Sequence, residues 1–170
     1  MNKQIQYQEP IVHLVVRFSD RVLRVEDTIS EHAKILTERG AVWFGKLGKP
    51  VGKPNLQKMS HQIARGTPTY LYLVQKTASS YGVYRGTIVE VKTECPTEEK
   101  PLIPSYYFHS LDIDQVRFWA KLIELTAVGK DDLVKLRSIS STDPITVTLQ
   151  SSMAGFFVVR ETRRFFSDDR

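Results

Sequence analysis

Residues 40–46 have the sequence Gly40-Ala41-Val42-Trp43-Phe44-Gly45-Lys46. The first glycine can end a helix, and the apolar run that follows has the composition of a buried strand. The lysine begins a basic interval, and no acidic residue occurs from Trp43 to Arg65. Positive charges neutralise phosphates and flat aromatic rings stack on bases, so this stretch indicates a nucleic-acid-binding surface. The alternative is a core tryptophan beside a solvated, lysine-rich loop.

The basic residues of this interval are predicted to contact phosphates. They are Lys46, Lys49, Lys53, Lys58 and Arg65. Their combined charge equals the formal net charge of the whole chain, +5, and the isoelectric point is about 9.3. Such a charge favours acidic partners, above all nucleic acid, but it carries no information about the fold.

The composition is that of a soluble globular protein with one domain. The chain has 170 residues, of which 41% are hydrophobic and 25% are charged. No apolar run approaches the ~20 residues of a membrane helix, and no N-terminal signal peptide is recognised. The single cysteine, Cys95, excludes an internal disulfide and a cysteine zinc cluster, which fits a reducing compartment. We therefore expect a cytoplasmic protein without a membrane partner.

The first half of the chain is predicted to alternate strands with two helices. Residues 11–18 are almost wholly apolar and rich in β-branched side chains, which predicts a strand buried on both faces. Thr28 and Glu31 fit a capping box that opens a helix ending before the stretch quoted above. Residues 41–47 form the next predicted strand. Beyond a loop rich in Gly and Pro, apolar residues at helical spacing predict a second helix over residues 56–63.

The second half is predicted to be mostly β-structure. Residues 69–74 and 82–91 have the composition of paired strands, joined by a polar turn at residues 77–80. Later strands are predicted at residues 116–123, 145–149 and 155–159, and residues 131–136 fit either a helical turn or a short strand. Many short strands with few helices indicate a barrel-like α+β domain.

The length fits one domain with short flanking segments. We expect a flexible N-terminus at residues 1–10, one domain over residues 11–160, and a C-terminal tail at residues 161–170.

Motifs for metal binding and catalysis are missing from the sequence. The histidines are scattered without metal-ligand spacing, at His13, His32, His61 and His109. Cys95 has no basic neighbour in the sequence to activate it, and the glycines around Lys46 lack the spacing of a phosphate-binding loop. The acidic pairs fit caps and solvated loops better than acid–base pairs. We therefore expect a binding protein and not an enzyme, with no catalytic residue, metal or cofactor.

Aromatic residues at strand–loop junctions are candidates for a base-binding pocket. Trp43 and Phe44 lie in the strand beside the basic loop, while Tyr106 and Tyr107 follow Pro104 in a segment too irregular for a central strand. Trp and Tyr usually fill cores because they bury a large area. At a junction, however, such rings can sandwich an extruded base. We predict that Trp43 and at least one of these tyrosines line one concave pocket.

The order of these segments resembles the EVE and YTH branches of the PUA-like superfamily. The likeness spans residues 11–160 and rests on short motifs along the chain. These are the strand at 11–18, the Gly40-to-Trp43 turn, the basic interval at 46–65, the paired strands at 70–74 and 82–91, and residues 116–122.

The resemblance implies a small curved β-barrel of about six or seven strands with two or three flanking helices. It also implies a non-enzymatic domain that recognises a modified, methylated base flipped into an aromatic pocket. Trp43 matches the first aromatic of the family's cage, with Phe44 beside it. Tyr106 or Tyr107 stands where the family has a second tryptophan. Phe18 and Ser19 fall where family members contact the base edge.

Several functional alternatives remain open at the level of sequence. The first is a reader of modified DNA in a restriction or defence setting, with room for a fused or separate nuclease or motor as effector. The second is an RNA-binding PUA-like module. A third is a small nuclease or hydrolase of the ASCH type, which would need Lys, Thr and an acidic residue converging in a cleft. The fourth is a protein-interaction domain with Trp43 in its core.

Overall fold

A curved sheet of seven strands forms the centre of the part of the chain that the structure describes. This structure is a computed structural model, and it describes residues 10–76, 81–141 and 143–162. The strands are β1 (Val12–Phe18), β2 (Val42–Leu47), β3 (Tyr70–Lys76), β4 (Tyr81–Lys92), β5 (Val116–Val128), β6 (Leu136–Ser138) and β7 (Phe156–Glu161).

The two edge strands of the sheet do not pair with each other. The order is β2-β5-β4-β3-β1-β7-β6. β1 and β3 are parallel, whereas the other neighbouring strands are antiparallel. Because β2 and β6 are edge strands, the sheet is not closed by hydrogen bonds. The predicted α+β class and the number of strands are confirmed, and the predicted barrel is an open sheet.

Two long helices and several short ones flank this sheet. In the described ranges the α-helices are α1 (Asp20–Leu23), α2 (Thr28–Arg39), α3 (Lys53–Ala64), α4 (Tyr106–His109), α5 (Asp131–Val134) and α6 (Ile145–Ser151). Short 3₁₀ helices lie at Thr97–Leu102 and Ile113–Gln115. No helix in the described residues has the length and apolar character to span a membrane.

Side chains on both faces of the sheet are buried. Even-numbered residues of β1, such as Leu14, join a core that includes Met59 of α3. Odd-numbered residues, such as Val15, join a second core with Leu133 of α5 and Leu149 of α6. The prediction that the first strand is buried on both faces is therefore confirmed, which explains its continuous apolar composition.

Local signals predicted most element boundaries, but the start of α2 is displaced by one residue. The side chain of Asp27, not Thr28, accepts a hydrogen bond from the backbone N of Ser30 at 3.0 Å. The backbone N of Thr28 instead donates to Oδ1 of Asp20 at 2.9 Å. The helix ends as predicted at Gly40, whose φ of +81° is favourable for glycine.

The prediction of a strand at residues 145–149 is wrong, because these residues form the first part of α6. Alternating polarity suggested a period of two, yet the buried side chains are Ile145 and Leu149, which are four residues apart. Pro144 lies immediately before the helix, where proline is tolerated because a backbone N–H at this position would have no partner within the helix. At residues 131–136 both predicted alternatives occur in succession, as α5 and then β6.

The predicted turn at residues 77–80 and most of the two predicted termini lie outside the described residues.

Candidate binding pocket

A concave pocket of about 590 Å³ lies between β2 and the paired strands β1 and β7. Its volume is in the usual range for small-molecule sites. The lining consists of Val16, Arg17, Phe18, Ser19, Val22, Leu23, Phe44, Gly45, Lys46, Leu47, Gly48, Lys49, Ala154, Gly155 and Phe156. β2 is an edge strand four positions from β1 in the sheet order, so the curvature of the sheet brings it back opposite β1 and β7.

β2 contributes Phe44 and Lys46 to this pocket. Side chains alternate along a strand, so residues 44 and 46 project from one face and residues 43 and 45 from the other. The ring of Phe44 is buried and lies 5.2 Å from the ring of His32 on α2. Phe44 lines this pocket, and its predicted contact with a base stays a prediction.

Gly45 and Tyr107 hold β2 in place behind the pocket. A Cβ atom on Gly45 would lie 2.6 Å from Cγ1 of Val116 and 2.8 Å from Cζ3 of Trp119, so a side chain has no room here. The hydroxyl of Tyr107 donates to the carbonyl of Gly45 at 3.0 Å and accepts from its N–H at 2.8 Å. These contacts position the strand that carries Phe44 and Lys46.

The sequence predicted Lys46 on the outer surface. In the structure it is buried in the pocket wall. Only 4% of the residue is exposed. Its ammonium group donates to the carbonyls of Leu47, at 3.3 Å, and Lys49, and lies 3.9 Å from the ring centroid of Phe156. Burial lowers the pKa of this amine to about 8. Its prediction as an exposed phosphate contact is therefore wrong, because residue 46 shares the inward face of β2 with residue 44.

Arg17 fixes the opposite wall of the pocket. Its guanidinium donates to the carbonyls of Ser152, at 2.8 Å, and Leu149 at the end of α6. Its backbone N donates to the carbonyl of Gly155 at 2.8 Å. These bonds hold the segment that leads into Phe156 against β1.

Phe18 and Ser19 line the pocket at the end of β1, and the base contact that the resemblance implies for them stays a prediction. Ser19 is also the N-cap of α1, and its Oγ accepts from the backbone N of Val22 at 3.1 Å. The hydroxyl proton of Ser19 is not used in that bond. The backbone turn at Ser19 thus places one small polar group at the pocket rim.

Trp43 does not line an open pocket, and that prediction is wrong. The residue has no exposed surface and belongs to the core. Because side chains alternate, Trp43 and Phe44 cannot both face one pocket from the same straight strand. The Gly40-to-Trp43 stretch therefore marks a core strand, which is the alternative that the sequence left open.

Tyr106 and Tyr107 are core residues as well, so their predicted role in an open aromatic cage is also wrong. They lie in α4, with 6% and 0% exposed surface, and their rings stack at 4.4 Å. Burial raises the pKa of both phenols. Pro104 precedes a short packed helix here instead of an open loop, which the aromatic composition alone could not distinguish.

Four predicted phosphate contacts are exposed, in the loop after β2 and on or just beyond α3. They are Lys49, Lys53, Lys58 and Arg65. Lys58 and Arg65 are seven residues apart and therefore lie on the same side of α3. Within the described residues none of the four forms an ion pair. Lys49 also lines the pocket, so the basic surface begins at the pocket rim.

Phe156, Gly155 and Arg17 are pocket residues that sequence reasoning missed. The antiparallel register of β1 and β7 pairs Val16 with Phe156, which brings a ring from the end of the chain into the site. The sequence predicted the strand at residues 155–159 but contained no local signal for its partner.

The pocket lining has no arrangement typical of hydrolytic catalysis. It contains no acidic residue and no threonine, so Lys46 lacks the companions that an ASCH-type hydrolase would need. Across the described part of the chain, no group of three His, Cys, Asp or Glu residues could hold a metal ion.

Comparison with known proteins gives one match. The family model described as Pua-like matches residues 14–161, most of the chain. Neither the curated proteins nor the solved structures contain a significant match.

Proposed function

Because the chain belongs to the Pua-like family, we propose that it binds nucleic acid and holds an extruded, modified base in the pocket between β1, β2 and β7. The family supports nucleic-acid binding without catalysis. A methylated base in DNA is the preferred ligand, within a restriction or defence system that supplies a nuclease or motor. Single-stranded or looped RNA is the second candidate, because its bases are already accessible.

The pocket itself carries this proposal. Phe18, Phe44 and Phe156 give it three aromatic side chains from three strands. An apolar pocket with a few polar groups at its edge matches the polarity of a nucleobase. Of these rings, Phe18 and Phe44 were predicted to line the base pocket and Phe156 was not, whereas Trp43, Tyr106 and Tyr107 do not line this pocket.

The energetics are sufficient for moderate selectivity. Extruding a base costs a few kcal/mol, and stacking returns ~1–3 kcal/mol per base. A methyl group buried against phenylalanine adds about 0.8 kcal/mol, as for a buried CH₂ group. Phosphate contacts must therefore supply much of the affinity, and Lys49, Lys53, Lys58 and Arg65 provide exposed charge for them.

The test is Phe156→Leu, compared with Phe108→Leu in binding to a panel of modified and unmodified DNA and RNA oligonucleotides. Both rings are half-buried and face a lysine ammonium, Lys46 for Phe156 and Lys100 for Phe108, but only Phe156 lines the pocket. Loss of one stacking face should weaken binding of the preferred oligonucleotide by ~1–3 kcal/mol, or about 5- to 100-fold. Phe108→Leu should bind like the wild type. Equal affinity of the wild type and Phe156→Leu for every oligonucleotide would reject this pocket.

A further inference from the structure

The polar side chains that line the pocket offer hydrogen-bond donors almost exclusively. They are Ser19, Lys46 and Lys49, while the lining has no Asp, Glu, Asn, Gln or His. Lysine has no acceptor atom, and the Oγ of Ser19 already accepts from Val22. A ligand that presents its own donors to these side chains would therefore leave them unpaired.

Lys46 is the donor that lies inside the pocket. The guanidinium of Arg17 lies on the other face of β1, where it is bonded to the carbonyls of Leu149 and Ser152, and Lys49 is exposed at the rim. An ammonium has three N–H donors, and two carbonyl oxygens account for two of them at Lys46. The third has the ring of Phe156 nearby, a weak partner that a ligand oxygen can replace.

The surrounding side chains favour a flat base edge over a phosphate as the partner of this amine. Phe44 shares its face of β2, and Val16, Val22 and Leu23 complete an apolar wall. A phosphate buried here would keep most of its oxygens without donors, which is costly for an anion. A base carbonyl needs one or two donors, and its ring is satisfied by apolar contacts.

We propose that Lys46 selects a base whose major-groove edge carries a carbonyl oxygen, and that the pocket disfavours bases with an exocyclic amino group at that edge. This inference rests on the proposed function. Guanine O6 and thymine or uracil O4 are such acceptors, whereas adenine N6 and cytosine N4 are donors. Modified guanines, thymines or uracils are therefore preferred over N6-methyladenine and 5-methylcytosine. Burial without a carboxylate partner lowers the pKa of Lys46, and a carbonyl acceptor would favour its charged form.

The experiment measures affinity for single-stranded oligonucleotides that differ at one central base: guanine, 2-aminopurine, thymine, adenine or cytosine. 2-Aminopurine resembles guanine but lacks O6. Comparing these two bases therefore tests the contact to O6 without any change in the protein. We expect guanine and thymine to bind about 5- to 100-fold more tightly than the other three. Equal binding of guanine and 2-aminopurine, or a preference for adenine or cytosine, overturns the inference.

The variant Lys46→Met, with Lys49→Met as matched control, tests whether Lys46 determines the preference among the five bases. Methionine keeps the length of the side chain and removes its charge. Lys46→Met should abolish the base preference, whereas Lys49→Met should weaken all five oligonucleotides about equally and preserve it. A Lys46→Met protein that is folded and still selective contradicts the inference. If all five bind equally and Phe156→Leu weakens them all, the proposed function stands and the role of Lys46 is rejected. If none of the five binds, the role of Lys46 is rejected, and the panel of modified oligonucleotides decides on the proposed function.

Discussion

The indole of Trp43 lies in the core on the face of β2 opposite Phe44. The ammonium groups of Lys92 and Lys121 each lie 5.7 Å from its ring centroid, so the positive charges beside Trp43 cover it instead of flanking an open slot. Lys121 is held there by Glu99 at 2.8 Å. Trp43 and the two lysines therefore contribute to packing on this face of the sheet.

Trp43→Ala is expected to lower the free energy of unfolding by ~3–5 kcal/mol, because it empties a fully buried indole site. Urea unfolding measures this change. The fraction that remains folded should keep its preference among bases, since residue 43 does not line the pocket. Trp43→Phe, which retains most of the ring volume, should cost clearly less. An alanine variant with wild-type stability but no base preference would restore Trp43 as a pocket residue.

At the scale of elements, α3 connects the basic surface to the strand that forms the pocket. The side-chain amide of Gln62 bonds the backbone N and O of Val12, both at 2.8 Å, and so extends the pairing of β1. Met59 of the same helix is fully buried. The exposed side of α3 can therefore carry Lys53 and Lys58 on a rigid support next to the sheet.

Binding to a DNA duplex should weaken as salt rises, with a log–log slope near ~−2.7 if about three phosphates are contacted. Charge reversal by Lys49→Glu combined with Lys53→Glu should weaken all sequences about equally and make the slope shallower. Fluorescence anisotropy at several salt concentrations measures both quantities. Lys34→Glu, an exposed change on α2, is a control for charge alone and should have a smaller effect. Affinity that does not depend on salt would remove the basic surface from the binding site.

At the scale of the whole molecule, two buried, uncharged histidines make the free energy of unfolding depend on pH. One lies on each face of the sheet. Burial lowers the pKa of His32 from 6.5 to about 4, and its Nδ1 lies 2.7 Å from the carbonyl of Thr28. Burial also lowers the pKa of His13 to about 4, although Glu161, 3.3 Å from Nε2, opposes this shift. The Nδ1 of His13 accepts from the backbone N of Tyr70 at 3.0 Å, which fixes its neutral tautomer.

The free energy of unfolding should fall as pH decreases from about 6.5 to about 4. In this window the unfolded chain binds protons at these histidines and the folded chain does not, so acid favours unfolding. The slope is at most ~1.4 kcal/mol per pH unit for each histidine. Urea unfolding at several pH values measures it, and His32→Leu should reduce it whereas His61→Leu, on the exposed side of α3, should not. An unchanged slope in His32→Leu would show that His32 is not the titrating group.

Sequence alone determined the features that depend on neighbouring residues. The apolar run of β1, the glycine at the end of α2 and the paired strands β3 and β4 were predicted because period, glycine conformation and β-branching act locally. The alternation of side chains along β2 was also available from sequence, and it separates Trp43 from Phe44. The helix α6 was mistaken for a strand because five residues carry too little periodicity to distinguish the two.

Tertiary structure decided which side chains form the pocket. Phe156 reaches Lys46 only because β7 pairs with β1 and the curved sheet brings β2 opposite these two strands, across more than a hundred residues of chain. The burial that lowers the pKa of Lys46 arises from the same closure. No local sequence pattern encodes the burial of Lys46, because a lysine in a basic run has the same neighbours in the sequence whether it faces solvent or a pocket.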